Sequence, residues 1–159
     1  MFYDYIHTPS GTLKVKANEN KITSIEFLFE KPKVETTPNF LTDEAVFQLK
    51  QYFNGHLTKF DLPLQQIGTP FQIEVWKALD KIPFGHTWSY GQLAAAMGDK
   101  NKVRAVGAAN GKNPFAIVVP CHRVIGQSGE LVGYAGGIKR KQWLLRFERS
   151  LISGQTELF

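Results

Sequence analysis

The chain has 159 residues, of which 43% are hydrophobic and 21% are charged. This length allows one ordinary domain or two small ones, and it is sufficient to bury a core without disulfides or a metal. The single cysteine, Cys121, excludes an internal disulfide framework. No apolar run reaches the roughly 18 residues of a membrane span, and the N-terminus lacks the features of a secretory signal. We therefore expect a soluble, intracellular, globular protein.

The positive charge is concentrated in the second half of the chain. Residues 1–68 contain seven lysines, no arginine and eight acidic residues, a net charge of −1. Residues 69–159 contain seven lysines, five arginines and six acidic residues, a net charge of +6. A basic half beside a neutral half is typical of a polyanion-binding domain attached to a supporting domain. Ordinary solubility charge explains the same numbers, so charge alone leaves both interpretations open.

The first half is predicted to form a small sheet followed by one helix. Aromatic and apolar residues over 2–6, followed by the turn signal Pro9-Ser10-Gly11, predict a first strand. The alternation of apolar and polar residues over 13–17 and 25–29 predicts two more. Apolar residues at helical spacing predict a helix from about Thr42, closed by Asn54-Gly55. Reactive side chains are not concentrated anywhere in this half, which is therefore interpreted as structural.

The second half is predicted to be mainly helical. Capping boxes begin at Thr69 and at Ser89, and each predicts a helix that starts just after it. The second of these helices ends at Gly98, and a third begins at Asn101 or Lys102. Two short helices joined by a tight glycine-containing turn are typical of a helix-turn-helix. An ordinary helical hairpin fits the same pattern.

The cysteine lies in an unusual string of residues. Residues 115–119 are predicted to form a short buried strand that leads into Pro120-Cys121-His122-Arg123-Val124. A lone cysteine is more often an inert buried residue than a nucleophile. Here the cationic neighbours His122 and Arg123 are expected to lower the pKa of the Cys121 thiol. Adjacent side chains need not touch, however, so a Cys-His dipeptide alone does not define a catalytic pair.

This string, in its context, resembles the active-site motif of the O6-alkylguanine-DNA alkyltransferase family. The resemblance covers residues 69–150, whereas residues 1–68 are only compatible with the variable N-terminal domain of that family. It implies an α+β fold with an N-terminal αβ structural domain over 1–68 and a C-terminal DNA-binding alkyltransferase domain over 69–159. The further motifs that appear in the family's order are Thr69-Pro70-Phe71, Val75-Trp76, Phe84-Gly85, Ser89-Tyr90, Gln92-Leu93-Ala94, Arg104-Ala105-Val106-Gly107, Asn113-Pro114, Gly133-Tyr134-Ala135-Gly136-Gly137 and Trp143-Leu144-Leu145 followed by Glu148.

The resemblance implies direct reversal of DNA damage. An alkyl group, typically methyl, would move irreversibly from O6 of guanine onto Cys121, once per molecule, and activity on O4-alkylthymine is left open. The family relay, in which a glutamate orients a histidine that accepts the thiol proton through water, maps onto Glu148 and His122. Tyr90 matches the tyrosine that donates to guanine N3. Without the family, Glu148 would be interpreted as a solvated charge on a helix over 138–149, and Tyr90 as a packed aromatic residue.

The resemblance also implies that the damaged nucleotide leaves the duplex, because the alkylated atom is buried inside it. Arg104, on the second helix of the helix-turn-helix, matches the arginine that fills the vacated space; a surface charge is the alternative. This helix would enter the minor groove, where little sequence information is available. The remaining residues assigned by the resemblance are the small DNA-contacting residues Ala105, Ala108 and Ala109, the hinge residue Asn113, the DNA contact Arg123, and the base-pocket residues Val124, Tyr134, Ala135 and Gly136.

The expected partner is double-stranded DNA that contains alkylated guanine, bound largely without sequence preference. We expect a monomer in the cytoplasm, associated with the nucleoid if the cell is prokaryotic, with no membrane partner and no cofactor. Some relatives hold zinc through N-terminal cysteines and histidines; this chain has no N-terminal cysteine, so no metal is expected. Two alternatives remain: a DNA-alkylation sensor, although sensors of this type carry tryptophan in place of Cys121, and a cysteine hydrolase that uses Cys121 and His122.

Overall fold

The computed structural model describes residues 1–32 and 35–153. The chain divides into two compact units, Met1–Gln66 and Ile67–Phe159. The mixture of helices and strands confirms the predicted α+β class. The first unit contains β1 (Phe2–Thr8), β2 (Gly11–Ala17), β3 (Ile22–Phe27) and α1 (Phe40–Phe53); the second contains α2 (Pro70–Leu79), β4 (Trp88–Ser89), α3 (Tyr90–Ala96), α4 (Val103–Gly111), β5 (Val124–Ile125) and α5 (Ile138–Ser153), with 3₁₀ turns at Lys100–Lys102 and Cys121–Arg123.

The first unit is an antiparallel sheet in the order β1-β2-β3, with α1 packed against it. The alternation predicted for β2 is present, since Leu13 and Val15 are fully buried while their neighbours are not. The helix starts two residues earlier than predicted, because the Asn39 side chain accepts hydrogen bonds from the first-turn amides. The predicted third strand is too long, since β3 ends at Phe27, and Phe29 lies beyond the paired residues with 73% of its surface exposed.

The second unit is built on helices whose starts follow the predicted capping boxes. The Thr69 and Gln72 side chains form a reciprocal box at the start of α2, and Ser89 and Gln92 do the same for α3. Helix α2 packs against α4, and its Trp76 donates from Nε1 to the carbonyl of Ala109 at 2.9 Å. Short parallel strands β4 and β5 connect the start of α3 to the residues that follow the cysteine. In the described part of the chain, none of the helices has the length and apolarity needed to cross a membrane.

Candidate active site and DNA-binding helix

Cys121 begins a 3₁₀ turn and is 6% exposed. The predicted strand over 115–119 is wrong, because residues 116–118 form turns and 119 is a bend. The amide of Val119 donates to the carbonyl of Phe115, and the amide of Cys121 donates to the carbonyl of Val119. Ile117 has a φ of 70°, which no strand accommodates. The side chains of Phe115, Ile117 and Val119 are nevertheless buried, so the run contributes to the core in a turn conformation.

Two asparagines connect the end of α4 to the turn that carries the cysteine. Asn113 accepts a hydrogen bond from the Phe115 amide at 3.0 Å and donates from Nδ2 to the carbonyl of Val119 at 2.9 Å. Asn110, which is buried on α4, donates from Nδ2 to the carbonyl of Cys121 at 3.4 Å. The position of the Cys121 backbone therefore depends directly on the C-terminal end of α4.

Glu148 lies at the centre of a buried polar cluster beside the cysteine turn. It is only 1% exposed, whereas its position in the helix sequence alone predicts a solvated charge. His122 contacts it at 2.7 Å through Nε2, and Arg123 donates to both carboxylate oxygens, at 2.7 Å and 3.1 Å. The amide of Gly85 adds a fourth donor at 3.2 Å. Glu148 is therefore held in one orientation by donors from two separate segments, the cysteine turn and the loop at Gly85.

Arg123 is not positioned to contact DNA, which corrects the prediction for this residue. Its side chain is buried, bidentate on Glu148, and donates through NH1 to the carbonyl of Ile82 at 2.9 Å. The guanidinium also lies 5.6 Å from the ring centre of Phe84. A buried guanidinium requires such partners, because an unpaired charge in the core is costly.

The pKa shifts follow from this burial. Burial disfavours the Glu148 carboxylate, but the hydrogen bonds and positive charge of His122 and Arg123 outweigh it and hold the pKa of Glu148 well below its usual range. Burial lowers the pKa of His122, although Glu148 partly opposes the shift. Burial also raises the pKa of the Cys121 thiol, opposed by the Asn113 side chain and then by the charge of Lys141. The expected lowering by adjacent cations is therefore wrong, because His122 and Arg123 are directed at Glu148.

Each ring nitrogen of His122 has a distinct environment. With Glu148 ionised, Nε2 carries the proton and donates to the carboxylate, which leaves a lone pair on Nδ1. Nδ1 is buried and has no hydrogen-bond partner among the residues that the structure describes. Since the low pKa of His122 keeps the ring neutral near pH 7, Nδ1 is a base that can accept a proton.

Tyr90 lies at the first position of α3, on the wall of a cavity of about 440 Å³. Its hydroxyl donates to the carbonyl of Val132 at 3.2 Å. Burial raises the pKa of Tyr90, opposed by the Asn110 side chain and reinforced by Cys121, so the hydroxyl remains a donor at neutral pH. The cavity is lined by Tyr90, Gly91, Val103, Gly107, Gly126, Gln127, Glu130, Val132 and Gly133.

The residues predicted for the base pocket differ in exposure. Val124 is fully buried and Gly136 is buried, whereas Ala135 is exposed. The hydroxyl of Tyr134 lies in the interior, and burial together with the nearby Cys121 and Glu148 raises the pKa of Tyr134. The cavity beside Tyr90 is lined instead by Gly126, Gln127, Glu130 and Val132, which sequence reasoning did not single out, together with Gly133.

Sequence reasoning also missed Lys141 on α5. Its side chain is fully buried, and Nζ donates to the carbonyls of Val132 at 3.0 Å and Gly133 at 3.4 Å. Lys141 is one of five basic residues in α5, so its residue type alone does not indicate burial. Its spacing of seven residues from Glu148 is the one available signal, because that interval places both on one face of α5.

Helices α3 and α4 pack together in the region predicted to be a helix-turn-helix. On α4, Arg104, Ala105 and Ala108 are exposed, so this face is free to approach a groove. Ala109 is 3% exposed and its carbonyl accepts the Trp76 hydrogen bond, so its assignment as a DNA contact is wrong. Helical periodicity explains the difference, because Ala109 follows Val106 by three residues on the buried side of α4.

Profiles of two known domain families match the chain. The one described as "6-O-methylguanine DNA methyltransferase, DNA binding domain" matches residues 70–150. The one described as "6-O-methylguanine DNA methyltransferase, ribonuclease-like domain" matches residues 1–66. The motifs of the sequence left residues 1–68 only compatible with the family, and the second profile shows that residues 1–66 match it as well.

Individual proteins of this kind are similar along nearly the whole chain. A methylated-DNA–protein-cysteine methyltransferase of Mycobacterium tuberculosis is 47% identical over 161 residues, which cover 99% of this chain and 98% of the relative. One from Methanosarcina barkeri is 43% identical over 155 residues, 94% of this chain and 98% of the relative. The crystal structure of Mycobacterium tuberculosis OGT in complex with DNA is 47% identical and has a TM-score of 0.86, covering 95% of this chain and 94% of that one. The chain therefore belongs to the 6-O-methylguanine DNA methyltransferase family.

Proposed function

We propose that this protein repairs DNA by moving an alkyl group, typically methyl, from O6 of guanine onto the sulfur of Cys121, once per molecule. One observation carries the assignment of the residues. His122, next to the only cysteine, is held on Glu148 at 2.7 Å through one ring nitrogen and has its second nitrogen without a protein partner in the described chain. The named activity of the relatives and the DNA complex of one of them support the same reaction.

The first step is activation of the thiol. Because burial raises the pKa of Cys121, little thiolate forms at neutral pH without a base. His122 accepts the thiol proton at Nδ1, through a bridging water in the family's relay, and becomes an imidazolium. Glu148 stabilises that cation because its carboxylate stays ionised under the influence of His122 and Arg123. Arg123 thus acts on the reaction through Glu148.

The second step is displacement at the alkyl carbon. The thiolate forms the S–C bond as the C–O bond to guanine breaks, and the electron pair of that bond stays with the base. The developing negative charge spreads over the purine, where a hydrogen-bond donor at N3 stabilises it. Tyr90 is the donor we assign, since its raised pKa keeps the hydroxyl protonated. The product thioether has no route back to a thiol, so the protein is consumed.

The substrate reaches the sulfur as a flipped nucleotide. Exposed Arg104 on α4 is assigned to the space that the nucleotide vacates, and the small exposed residues Ala105 and Ala108 allow the helix to approach the minor groove. Asn113, through its bonds to the turn, keeps the cysteine in register with that helix. The monomeric state and the cytoplasmic location stay predictions. The sensor alternative is not favoured, because Cys121 is present and the relatives are named methyltransferases.

The test is intact-mass and peptide mass spectrometry after incubation with a duplex that contains O6-methylguanine. The expected result is a single methyl addition on Cys121 that saturates at one per protein. The matched variant Cys121→Ser should gain no methyl group and should still bind the duplex, because Arg104 and Tyr90 are unchanged. Release of demethylated DNA over many turnovers, or full activity in Cys121→Ser, would overturn the assignment and favour a hydrolase.

A further inference from the structure

Lys141 is a buried cation that the proposed mechanism does not use. Its side chain is fully buried, and no carboxylate forms an ion pair with it within residues 1–32 and 35–153. Burial of an ammonium group is costly unless hydrogen bonds or a charge compensate for it. Its compensation comes from the carbonyls of Val132, at 3.0 Å, and Gly133, at 3.4 Å. A leucine or methionine would fill the same space without this cost, so the charge itself needs a reason.

The carbonyl of Val132 is shared by two donors from different helices. It accepts the Lys141 ammonium from α5 and the Tyr90 hydroxyl from α3, the latter at 3.2 Å. A carbonyl oxygen has two lone pairs, so both bonds can form at the same time. Val132, Gly133 and Tyr90 line the 440 Å³ cavity. Lys141 thus holds the Val132–Gly133 segment, to which the Tyr90 hydroxyl is hydrogen-bonded.

We propose that Lys141 is a positioning residue for the transfer reaction, which holds the Val132–Gly133 segment and the resting Tyr90 hydroxyl in place and directs a positive charge toward the Cys121 sulfur. The inference rests on the roles proposed above for Cys121 and Tyr90. When a base enters, the Tyr90 hydroxyl leaves the Val132 carbonyl for the base. That carbonyl remains satisfied by Lys141, so the pocket wall keeps its shape and the exchange leaves no buried acceptor unpaired.

The electrostatic coupling between the two buried groups is consistent with this role. Burial lowers the pKa of Lys141 from 10.5 to about 8, and the nearby Cys121 opposes that shift. Most of the ammonium is therefore still charged near pH 7. In return, the charge of Lys141 lowers the pKa of the buried thiol. The other titratable groups coupled to the sulfur are Tyr90 and Tyr134, which are both neutral at that pH.

The first test measures the thiol in the intact protein without DNA. The rate of Cys121 alkylation by iodoacetamide is followed against pH in wild type, Lys141→Met and Lys141→Arg. Methionine keeps much of the length of the lysine side chain but carries no charge. In Lys141→Met the inflection of the alkylation rate against pH should therefore move to higher pH. The alkylation rate at pH 7 should fall about tenfold, which corresponds to one pKa unit. Lys141→Arg should restore most of the rate. A purely structural role would not shift the inflection, and an unchanged inflection in Lys141→Met overturns the electrostatic part.

The second test measures the positioning role through a double-mutant cycle. Methyl transfer from duplex DNA is timed in Tyr90→Phe, Lys141→Met and the double variant. Because both side chains act through the Val132 carbonyl, the double variant should be slowed by less than the product of the two single effects. Independent, multiplicative effects overturn the positioning part. If wild type transfers no methyl group, the proposed function fails, whereas the thiol titration still reports on Lys141.

A third measurement covers the case in which Lys141→Met does not fold. The Nζ resonance of Lys141 is titrated by NMR in wild-type protein before and after methylation of Cys121 by a small alkylating agent. Loss of the ionisable sulfur should lower the pKa of Lys141, because the group that opposes its shift is gone. An identical titration in both forms means that the ammonium and the sulfur are not coupled, and it overturns the proposal.

Discussion

At the scale of single residues, the charge on Glu148 depends on Arg123. A carboxylate in the core would normally take up a proton, but four donors converge on this one. Arg123 supplies two of them, so His122 meets an anion that can stabilise its positive form. The three adjacent residues of one 3₁₀ turn thus have different roles. Cys121 provides the sulfur and His122 the base, and Arg123 provides the charge that holds Glu148, which in turn orients His122.

Arg123→Met should destabilise the second unit by about 3–5 kcal/mol, because it removes the cation that is paired with the buried Glu148 carboxylate. All three tryptophans, Trp76, Trp88 and Trp143, lie in that unit, so urea unfolding followed by tryptophan fluorescence reports on it. The matched control is Arg104→Met, which changes an exposed arginine and should alter stability by less than about 0.5 kcal/mol. A similarly small loss in Arg123→Met would mean that the buried bonds do not hold Glu148.

At the scale of elements, the sequence predicts helix starts well and backbone conformation inside apolar runs poorly. The starts of α2 and α3 are encoded locally by Thr69 and Ser89, whose side chains cap the amides that follow. The run 115–119 is different, since apolar residues signal burial but not whether the buried backbone is a strand or a turn. Ile117, a β-branched residue at φ 70°, shows how far that turn departs from its local preference.

The residues of the candidate site also include some that the sequence predicts correctly and some that it does not. Cys121, His122 and Glu148 were predicted from motif resemblance, and the structure brings His122 and Glu148 into contact. A sequence does not show on which side of a turn an arginine points, so Arg123 was assigned to DNA although it faces the core. Lys141 was missed for the complementary reason: lysine is almost always exposed, and only the carbonyls of a distant loop explain its burial.

Helix α4 presents Arg104 to solvent, and this predicts a substrate-dependent effect of its removal. Arg104→Ala should slow methyl transfer from a duplex by tenfold or more, on the order of the few kcal/mol that unstacking requires. Transfer from the free O6-methylguanine base should change little, because the free base needs no flipping. Both rates are measured by single-turnover assays, with Arg149→Ala, an exposed arginine on α5, as control. Equal slowing of both substrates would show that Arg104 does not act in flipping.

At the scale of the whole molecule, chemistry and charge are confined to one unit. Every arginine, the cysteine and all the residues of the buried cluster lie in Ile67–Phe159, whereas Met1–Gln66 carries a sheet and a helix with a nearly balanced charge. The second unit therefore contains all of these buried ionic groups. Its stability should follow the ionisation of those groups, and the pKa of Glu148 lies well below its ordinary range.

The acid sensitivity of the second unit should depend on Glu148. Because its pKa is lower in the folded protein than in the unfolded chain, where it is about 4.3, its contribution is present at neutral pH and is lost as pH falls below about 4. The unfolding free energy of wild type, measured by urea titration with tryptophan fluorescence, should fall steeply as the pH drops below about 4. Glu148→Gln should be less stable at neutral pH and should show a much shallower fall, since its side chain has no proton to gain. Glu74→Gln, a change of an exposed carboxyl on α2, retains Glu148 and should keep the steep fall. Parallel curves for wild type and Glu148→Gln would mean that Glu148 enters the folded protein without a lowered pKa, and the ionised relay would lose its physical basis.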